Sequence, residues 1–290
     1  MKVIALTQAY NEGLFIEPYI KHLLPLVDKW IITEGRLTPF GSLSERSTDC
    51  TRSFLEYFSQ NDKTGKISVF DASPLPAPSR EQQEGTNKNF MLSRAAPEDG
   101  DLIFIGDVDE FWYPEKFLEI INLFRKNDKL NNVVVEELQF AYNTELCFKA
   151  SHSGRFMRYR TGAKFGNTNH FIHSDGKDVS KQRKCIIPRG GFPMCHFSWI
   201  KHPLLVREKV ISFNRPSFTA WFNKVYLEWP TNPELAYKNN TSIPPYHGTG
   251  FAEGQHEKLF KFIETLPDYA LGINVDWIDY LKEHRLGLKI

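Results

Sequence analysis

The sequence predicts an α/β protein built on a mixed, mainly parallel sheet flanked by helices. Short apolar runs without helical period (Val3–Thr7, Trp30–Thr33, Ile67–Phe70, Leu102–Ile105) alternate with stretches of helical period. These runs are predominantly apolar, as strands covered on both faces are, rather than apolar on every second residue. Three strand ends carry polar groups: Ala9-Tyr10-Asn11-Glu12, Glu34 and Asp107-Val108-Asp109. Such sheets bind ligands beyond the carboxyl ends of their strands, so the polar groups collect on the expected binding edge.

Val3–Thr7 leads into a helix with apolar positions Leu14, Phe15, Tyr19, Ile20, Leu23 and Leu24, for which Asn11 is the expected cap. Val27-Asp28-Lys29 turns the chain into Trp30–Thr33, closed by Glu34-Gly35-Arg36. A polar loop (Leu37–Ser47) precedes a helix from Cys50 to Phe58, and the third strand ends on Asp71. The proline-rich Ser73–Ser79 reads as a loop and Gln82–Ala95 as a helix. The central strand is entered through Pro97-Glu98-Asp99-Gly100. A helix follows from Pro114, proline at its first position, to Asn127, with Phe117, Ile120, Ile121 and Phe124 on one face.

Beyond Asn132 the pattern changes. Val133–Tyr142, Arg155–Thr161 and Cys185–Pro188 read as β runs, and the Gly/Asn/His-rich Gly162–Asp178 as an active-site loop. Met194–Trp199 reads as a strand ending against the site, and Val206–Phe213 as a short helix. Six prolines break up much of the rest before two amphipathic helices, Glu257–Leu266 and Asp276–His284. The expected organisation is a catalytic domain over 1–220, with halves 1–130 and 131–220, and a C-terminal helical extension over 221–290 packed on it.

A formal net charge of +1 offers no basic field for nucleic acid and no polybasic run for an anionic membrane. Cys50, Cys147, Cys185 and Cys195 form no Cys-x-x-Cys pair, so neither a zinc knuckle nor a disulfide framework is expected. The N-terminal stretch lacks the form of a signal peptide, and no apolar run approaches the ~20 residues that span a bilayer. The expected compartment is the cytoplasm. Asn239-Asn240-Thr241 matches a glycosylation sequon, which has no use there.

On extended backbone Asp107 and Asp109 would point to one side. Their mutual repulsion is resolved by a divalent cation, and oxygen ligands favour Mg²⁺ or Mn²⁺ shared with substrate phosphates. A solvated acidic turn is the plain alternative. Lys88, Arg94 and Lys209 are candidate positive groups for a departing phosphate. His196 sits among apolar and small residues, where a hydrogen-bonded core histidine is as well placed as a ligand. His170 and His173 lack a third ligand nearby. For an acceptor-activating carboxylate the candidates are Glu137, Glu110 and Asp175. Trp112, Tyr113, Tyr142 and Trp199 could face a sugar or belong to the core, while Trp221 and Trp229 are assigned to packing.

Ala9-Tyr10-Asn11-Glu12, the acid closing the second strand and Gly106-Asp107-Val108-Asp109-Glu110-Phe111 together resemble a glycosyltransferase of the GT-A fold. The N-terminal part is similar to glycosyltransferase family 2. The Asp-Val-Asp-Glu-Phe run with its following proline, Tyr142-Asn143, and Cys195-His196-Phe197-Ser198-Trp199 with Lys209 and Phe213 resemble family 17. That family contains β-1,4-N-acetylglucosaminyltransferases that add a bisecting sugar. The resemblance implies a metal-dependent, inverting transfer of a sugar, N-acetylglucosamine from UDP in family 17, to a glycan hydroxyl. It further implies Asp109 as main metal ligand, Asp107 at the ribose or a second metal position, and His196 as a third ligand. Ala9, Asn11, Glu12 and Glu34 would surround the nucleoside. The sequence departs from family 2 in lacking a Glu-Asp pair at the start of an acceptor-side helix.

Two other readings remain at this point. A haloacid-dehalogenase-like phosphatase also carries Asp-x-Asp after an apolar strand, but here no downstream acidic pair accompanies it. A non-catalytic carbohydrate-binding domain of GT-A type is the other.

Overall fold

The computed structural model describes residues 1–36, 44–72, 80–135, 137–141, 146–149, 153–166, 170–179, 184–186, 194–201, 203–213, 219–220, 222–227 and 251–253. The first elements are β1 (Val3–Ala9), α1 (Ile16–Leu23), β2 (Lys29–Glu34), α2 (Thr51–Asn61), β3 (Ile67–Asp71), α3 (Arg80–Ala95), β4 (Leu102–Ile105), β5 (Glu110–Phe111) and α4 (Pro114–Lys126). Then come β6 (Asn132–Val135), β7 (Glu137–Ala141), β8 (Leu146–Lys149), β9 (Ser153–Arg158), β10 (Lys164–Phe165), β11 (Phe171–Ile172) and β12 (Lys184–Ile186). The last are β13 (Met194–Trp199), α5 (Pro203–Phe213) and β14 (Phe251–Glu253). The chain divides into two compact units, one of Met1–Pro39, Ser44–Glu136 and His152–Met194, the other of Phe40–Leu43, Glu137–Ser151 and Cys195–Ile290.

The first unit is built on a seven-stranded sheet in the order β12-β6-β9-β4-β1-β2-β3. β1 runs parallel to β2, with Leu6 opposite Ile31, and to β4, with Leu6 opposite Ile105. β2 and β3 are parallel, as are β6 and β12, while β9 runs antiparallel between β4 and β6. This is the mixed, mainly parallel sheet with flanking helices that the sequence predicts. The chain winds from β1 outward to β3 and then returns to β4 on the other side of β1. The winding therefore reverses between β1 and β4, and the crevice of such a sheet opens beyond the carboxyl ends of those two strands.

Both faces of the strands are covered, which is why they read as predominantly apolar runs. On one side Ile4, Leu6, Ile31, Ile103 and Ile105 pack with Met91, Leu92 and Ala95 of α3. On the other, Phe104 meets Phe117 and Phe156 at centroid distances of 4.9 Å each and Trp112 at 5.6 Å. Such aromatic contacts contribute about 0.5–1.5 kcal/mol each beyond the burial of their area. Trp112 is thus core rather than a sugar platform. At the amino edge Arg158 donates to the carbonyls of Phe124, Asn127, Leu130 and Gly100. Those of Phe124 and Asn127 belong to the open end of α4, where a cation also answers the helix dipole.

Three expectations need correction. Asn11 does not cap α1, which begins at Ile16 after Phe15; Asn11 takes a left-handed backbone (φ 53°) instead. The long β run after Asn132 is two strands, β6 and β7, lying in different sheets of different units. Within Gly162–Asp178 the described residues are not all loop: Lys164–Phe165 and Phe171–Ile172 pair as the antiparallel ribbon β10–β11, whose Phe165 and Phe171 are buried with Met91 of α3. Tyr142, Asn143, Trp221, Trp229 and the two terminal helices lie outside the described residues.

In the second unit β14, β8, β7 and β13 lie side by side in that order, with β8 antiparallel to both β7 and β14. A π-helical turn, Phe222–Tyr226, stacks its two end rings at 5.4 Å.

Candidate active site

β4 ends at Ile105, and the chain then turns rather than continuing extended. The Glu110 amide donates to the Asp107 carbonyl at 3.0 Å, closing a four-residue turn. Asp107 and Asp109 are therefore not presented on one side. The Asp107 carboxylate keeps 49% of its surface in solvent, whereas Asp109 is 1% exposed. The carboxylate that joins Asp107 is Glu110, which is fully enclosed and accepts the Asp107 amide at 3.1 Å. Arg155 of β9 ties the two together, its Nη2 donating to Glu110 Oε1 and lying 3.4 Å from Asp107 Oδ2.

Gly106 is what lets the turn sit so close to α1. A Cβ there would lie 2.2 Å from the Tyr19 hydroxyl and 2.6 Å from the Phe104 ring. Burial, reinforced by the charge of Glu110, holds the Tyr19 phenol well above its ordinary pKa, so it stays neutral under the acids. Lys88 of α3 belongs to the same neighbourhood. Burial lowers its pKa, while the fields of Glu84, Asp107 and Glu110 oppose that shift and Arg155 adds to it.

The expected nucleoside residues also gather at this edge. Ala9 is buried and its carbonyl accepts the Gly35 amide at 3.0 Å. Asn11 Oδ1 accepts the Thr48 amide at 2.9 Å, and its own amide donates to Ser47 Oγ at 2.9 Å. The Glu12 amide donates to Thr51 Oγ1 at 2.7 Å, and its carbonyl receives the amides of Phe15 and Ile16 at the start of α1. Glu34 accepts the Ser47 amide at 2.8 Å and Arg52 at 3.1 Å. Arg52 also reaches Asp71 at 2.7 Å and Glu56 at 2.8 Å, holding the Asp71 carboxyl below its ordinary range. The side chains of Asn11 and Glu34 thus knit residues 47–52 onto the ends of β1 and β2.

Two expected residues lie elsewhere. Asp175 sits in an exposed turn, 2.9 Å from Lys177, whose hydrogen bond holds its pKa low. That turn faces the amino edge of the sheet, where His173 approaches the Arg158 carbonyl at 3.4 Å, so Asp175 is not at the crevice. The Arg94 guanidinium lies over the Phe70 and Phe90 rings. His170 is 2.7 Å from Asp178.

The second unit carries its own polar chain. His196 Nδ1 lies 2.6 Å from Glu137 Oε1, its Nε2 is hydrogen-bonded to Ser198 Oγ, and Lys209 Nζ donates to that hydroxyl at 3.1 Å. Both ring nitrogens of His196 are engaged within this chain of contacts. Glu137, the expected base, holds the imidazole through Oε1. Trp199 is buried beneath Lys209, whose Nζ is 5.7 Å from its centroid. Sequence reading passed over Arg155 and Ser198, although a lone arginine inside Arg155-Phe156-Met157 and the i, i+2 spacing of His196 and Ser198 were visible signals.

No family model matches the chain, and no curated protein matches it. Solved structures similar to it include glucosyl-3-phosphoglycerate synthase from Mycobacterium tuberculosis in complex with Mn²⁺, UDP and glucosyl-3-phosphoglycerate. That match is 21% identical over 48% of this chain and 44% of the synthase, with a TM-score of 0.31. The chain thus spans less than half the length of that protein. S. aureus TarS 1–349 is 13% identical over 99% of this chain and 92% of its own, with a TM-score of 0.36. Mannose-6-phosphate isomerase from Helicobacter pylori is 14% identical over 78% and 81%, with a TM-score of 0.35. Likenesses of this size assign no activity, and the reading of the site rests on its own geometry.

Proposed function

We propose that the chain is a GT-A-type glycosyltransferase, moving a sugar from a nucleoside-diphosphate donor to a hydroxyl of a glycan acceptor. The observation that supports this most is the acid turn at the reversal of the sheet. One half-exposed carboxylate, Asp107, faces outward beyond β4, with a cation behind it and the Asn11-Glu12 edge of β1 beside it.

Departure of a nucleoside diphosphate develops negative charge on its phosphate. A divalent cation, Mn²⁺ or Mg²⁺, would supply Lewis-acid stabilisation there worth several kcal/mol. The residues fit such an ion: these metals take one or two carboxylates and fill their remaining positions with phosphate and water. Asp107 is the direct ligand in this proposal. Asp109 and Glu110, enclosed behind it, set the local field, and Arg155 keeps that field from becoming strongly anionic. Lys88 adds positive charge on the donor side. The sugar proposed is N-acetylglucosamine carried on UDP, on the strength of the family 17 resemblance alone. No helix among the described residues is long and apolar enough to cross a membrane.

A thermal-shift panel of UDP, GDP and CMP sugars, each with and without Mn²⁺, tests the donor. A ligand at a hundred times its dissociation constant adds about 2.7 kcal/mol of stability. A shift with one nucleotide that depends on the metal supports the proposal; silence across the panel refutes it. A phosphatase assay on the same preparation separates the dehalogenase-like alternative.

A further inference from the structure

A side-chain amide stands in for a β-strand where α3 meets the β10–β11 ribbon. Asn89 Nδ2 donates to the Phe165 carbonyl at 2.7 Å, and Asn89 Oδ1 accepts the Phe165 amide at 2.7 Å. Both main-chain groups of Phe165 are thus answered from the helix, by a side chain that carries a donor and an acceptor together. Two bonds at one residue fix where its ring lies. The ring is buried with Met91 of α3 and with Phe171, whose centroid is 4.8 Å away. Lys88 precedes Asn89 on the helix, and its Nζ lies 6.0 Å from the centroid of the same Phe165 ring. The negative face of an aromatic ring attracts an ammonium at that distance. Lys88 also feels the charges of Glu84, Asp107, Glu110 and Arg155, so the cation seated at this ring is one that belongs to the acid turn.

We propose that Phe165, clasped by Asn89, is a positioning residue for Lys88, seating its ammonium for the diphosphate of the donor. This rests on the glycosyl-transfer reading and deepens it, because it gives the ribbon a part in donor binding. A lysine ends in a point charge on a flexible four-carbon stem. An ammonium already held in place loses less freedom when a phosphate arrives, and binds it more tightly for that reason. The clasp supplies the holding. Asn89 fixes the Phe165 backbone to the helix one residue beyond Lys88, and the ring then offers its face to the ammonium. The ring itself never touches the nucleotide in this proposal; it acts through Lys88.

The test titrates the full chain with UDP and with uridine, which lacks the diphosphate, both in Mn²⁺ and at a temperature where every variant is folded. Lys88→Met should weaken UDP at least tenfold, as loss of a charge-assisted hydrogen bond does, and leave uridine unchanged. Phe165→Leu stays apolar but lacks the ring face, and should weaken UDP about two- to fivefold and uridine not at all. In the Lys88→Met background the same substitution should alter neither affinity. Asn89→Ala opens the clasp without touching the buried ring, and should repeat the pattern of Phe165→Leu. A ring with a structural role alone would lower both affinities alike, with or without Lys88, and that result would overturn the proposal. So would UDP affinity that Lys88→Met weakens while Phe165→Leu and Asn89→Ala leave it unaltered, an outcome in which the donor reading survives. A wild type that binds no UDP would remove that reading and this inference together.

Discussion

Replacing Arg155 by Met would show whether the acid turn is held by the buried cation. The Arg155 side chain is 9% exposed and Glu110 not at all, so their charges are desolvated together. Losing one partner of a buried ion pair costs about 3–5 kcal/mol, because the other charge stays inside uncompensated. Against a typical total stability of about 5–15 kcal/mol this is severe. With a urea slope of about 3 kcal/mol/M, the unfolding midpoint should fall by about 1–2 M. Tryptophan fluorescence follows the transition, since Trp112 and Trp30 are buried in the same unit. Adding Glu110→Gln to Arg155→Met removes the stranded charge and should recover most of the loss, a coupling that a double-mutant cycle measures. A midpoint within about 0.3 M of wild type for the single variant, or no recovery in the double one, would refute the assignment of Arg155 as the counter-charge of Glu110.

Gly106→Ala should destabilise by about 1–3 kcal/mol in the same titration, because the new methyl meets the enclosed Tyr19 hydroxyl and Phe104 ring. Phe104→Ala, which removes a ring in contact with three others, should cost about 3–5 kcal/mol by calorimetry. His22 is buried and accepts the Trp112 amide through Nε2 at 3.3 Å, and burial lowers its pKa from 6.5 to about 4. Its folded pKa lies below the unfolded one, so its stabilisation is complete above pH 6.5 and is lost as pH falls toward 4. The loss is on the order of 3 kcal/mol, from 1.36 kcal/mol per pKa unit. Melting temperatures of wild type and His22→Gln should therefore converge between pH 7 and pH 4.

The strand–helix alternation and the apolar strands of the first unit were legible because burial on both faces writes itself into composition. The polar edge was legible too, since Asn11, Glu34 and Asp107 close three neighbouring strands. Which acid pairs with which was not. Asp107 and Asp109 share a side only if the backbone stays extended, and the Glu110-to-Asp107 hydrogen bond replaces that geometry with a turn. Arg155 stayed hidden because it reaches the turn from a strand 45 residues beyond Glu110. The change of sheet between β6 and β7 was hidden by continuous β propensity, as Val133–Val135 and Leu138–Phe140 both favour strands while belonging to different sheets. Asp175 shows the reverse error: an acid in a Gly/His-rich stretch suggested chemistry, yet Lys177 and the turn at Gly176 account for it.

The central claim is that Asp107 holds a cation for a nucleotide diphosphate, and titration calorimetry of UDP with and without Mn²⁺ tests it directly. Asp107 is half exposed, so Asp107→Asn should leave the melting temperature nearly unchanged. The account predicts that wild type binds UDP only with Mn²⁺ and that Asp107→Asn weakens that binding at least tenfold, or 1.4 kcal/mol. UDP affinity indifferent to Mn²⁺, or unaltered by Asp107→Asn, would contradict it.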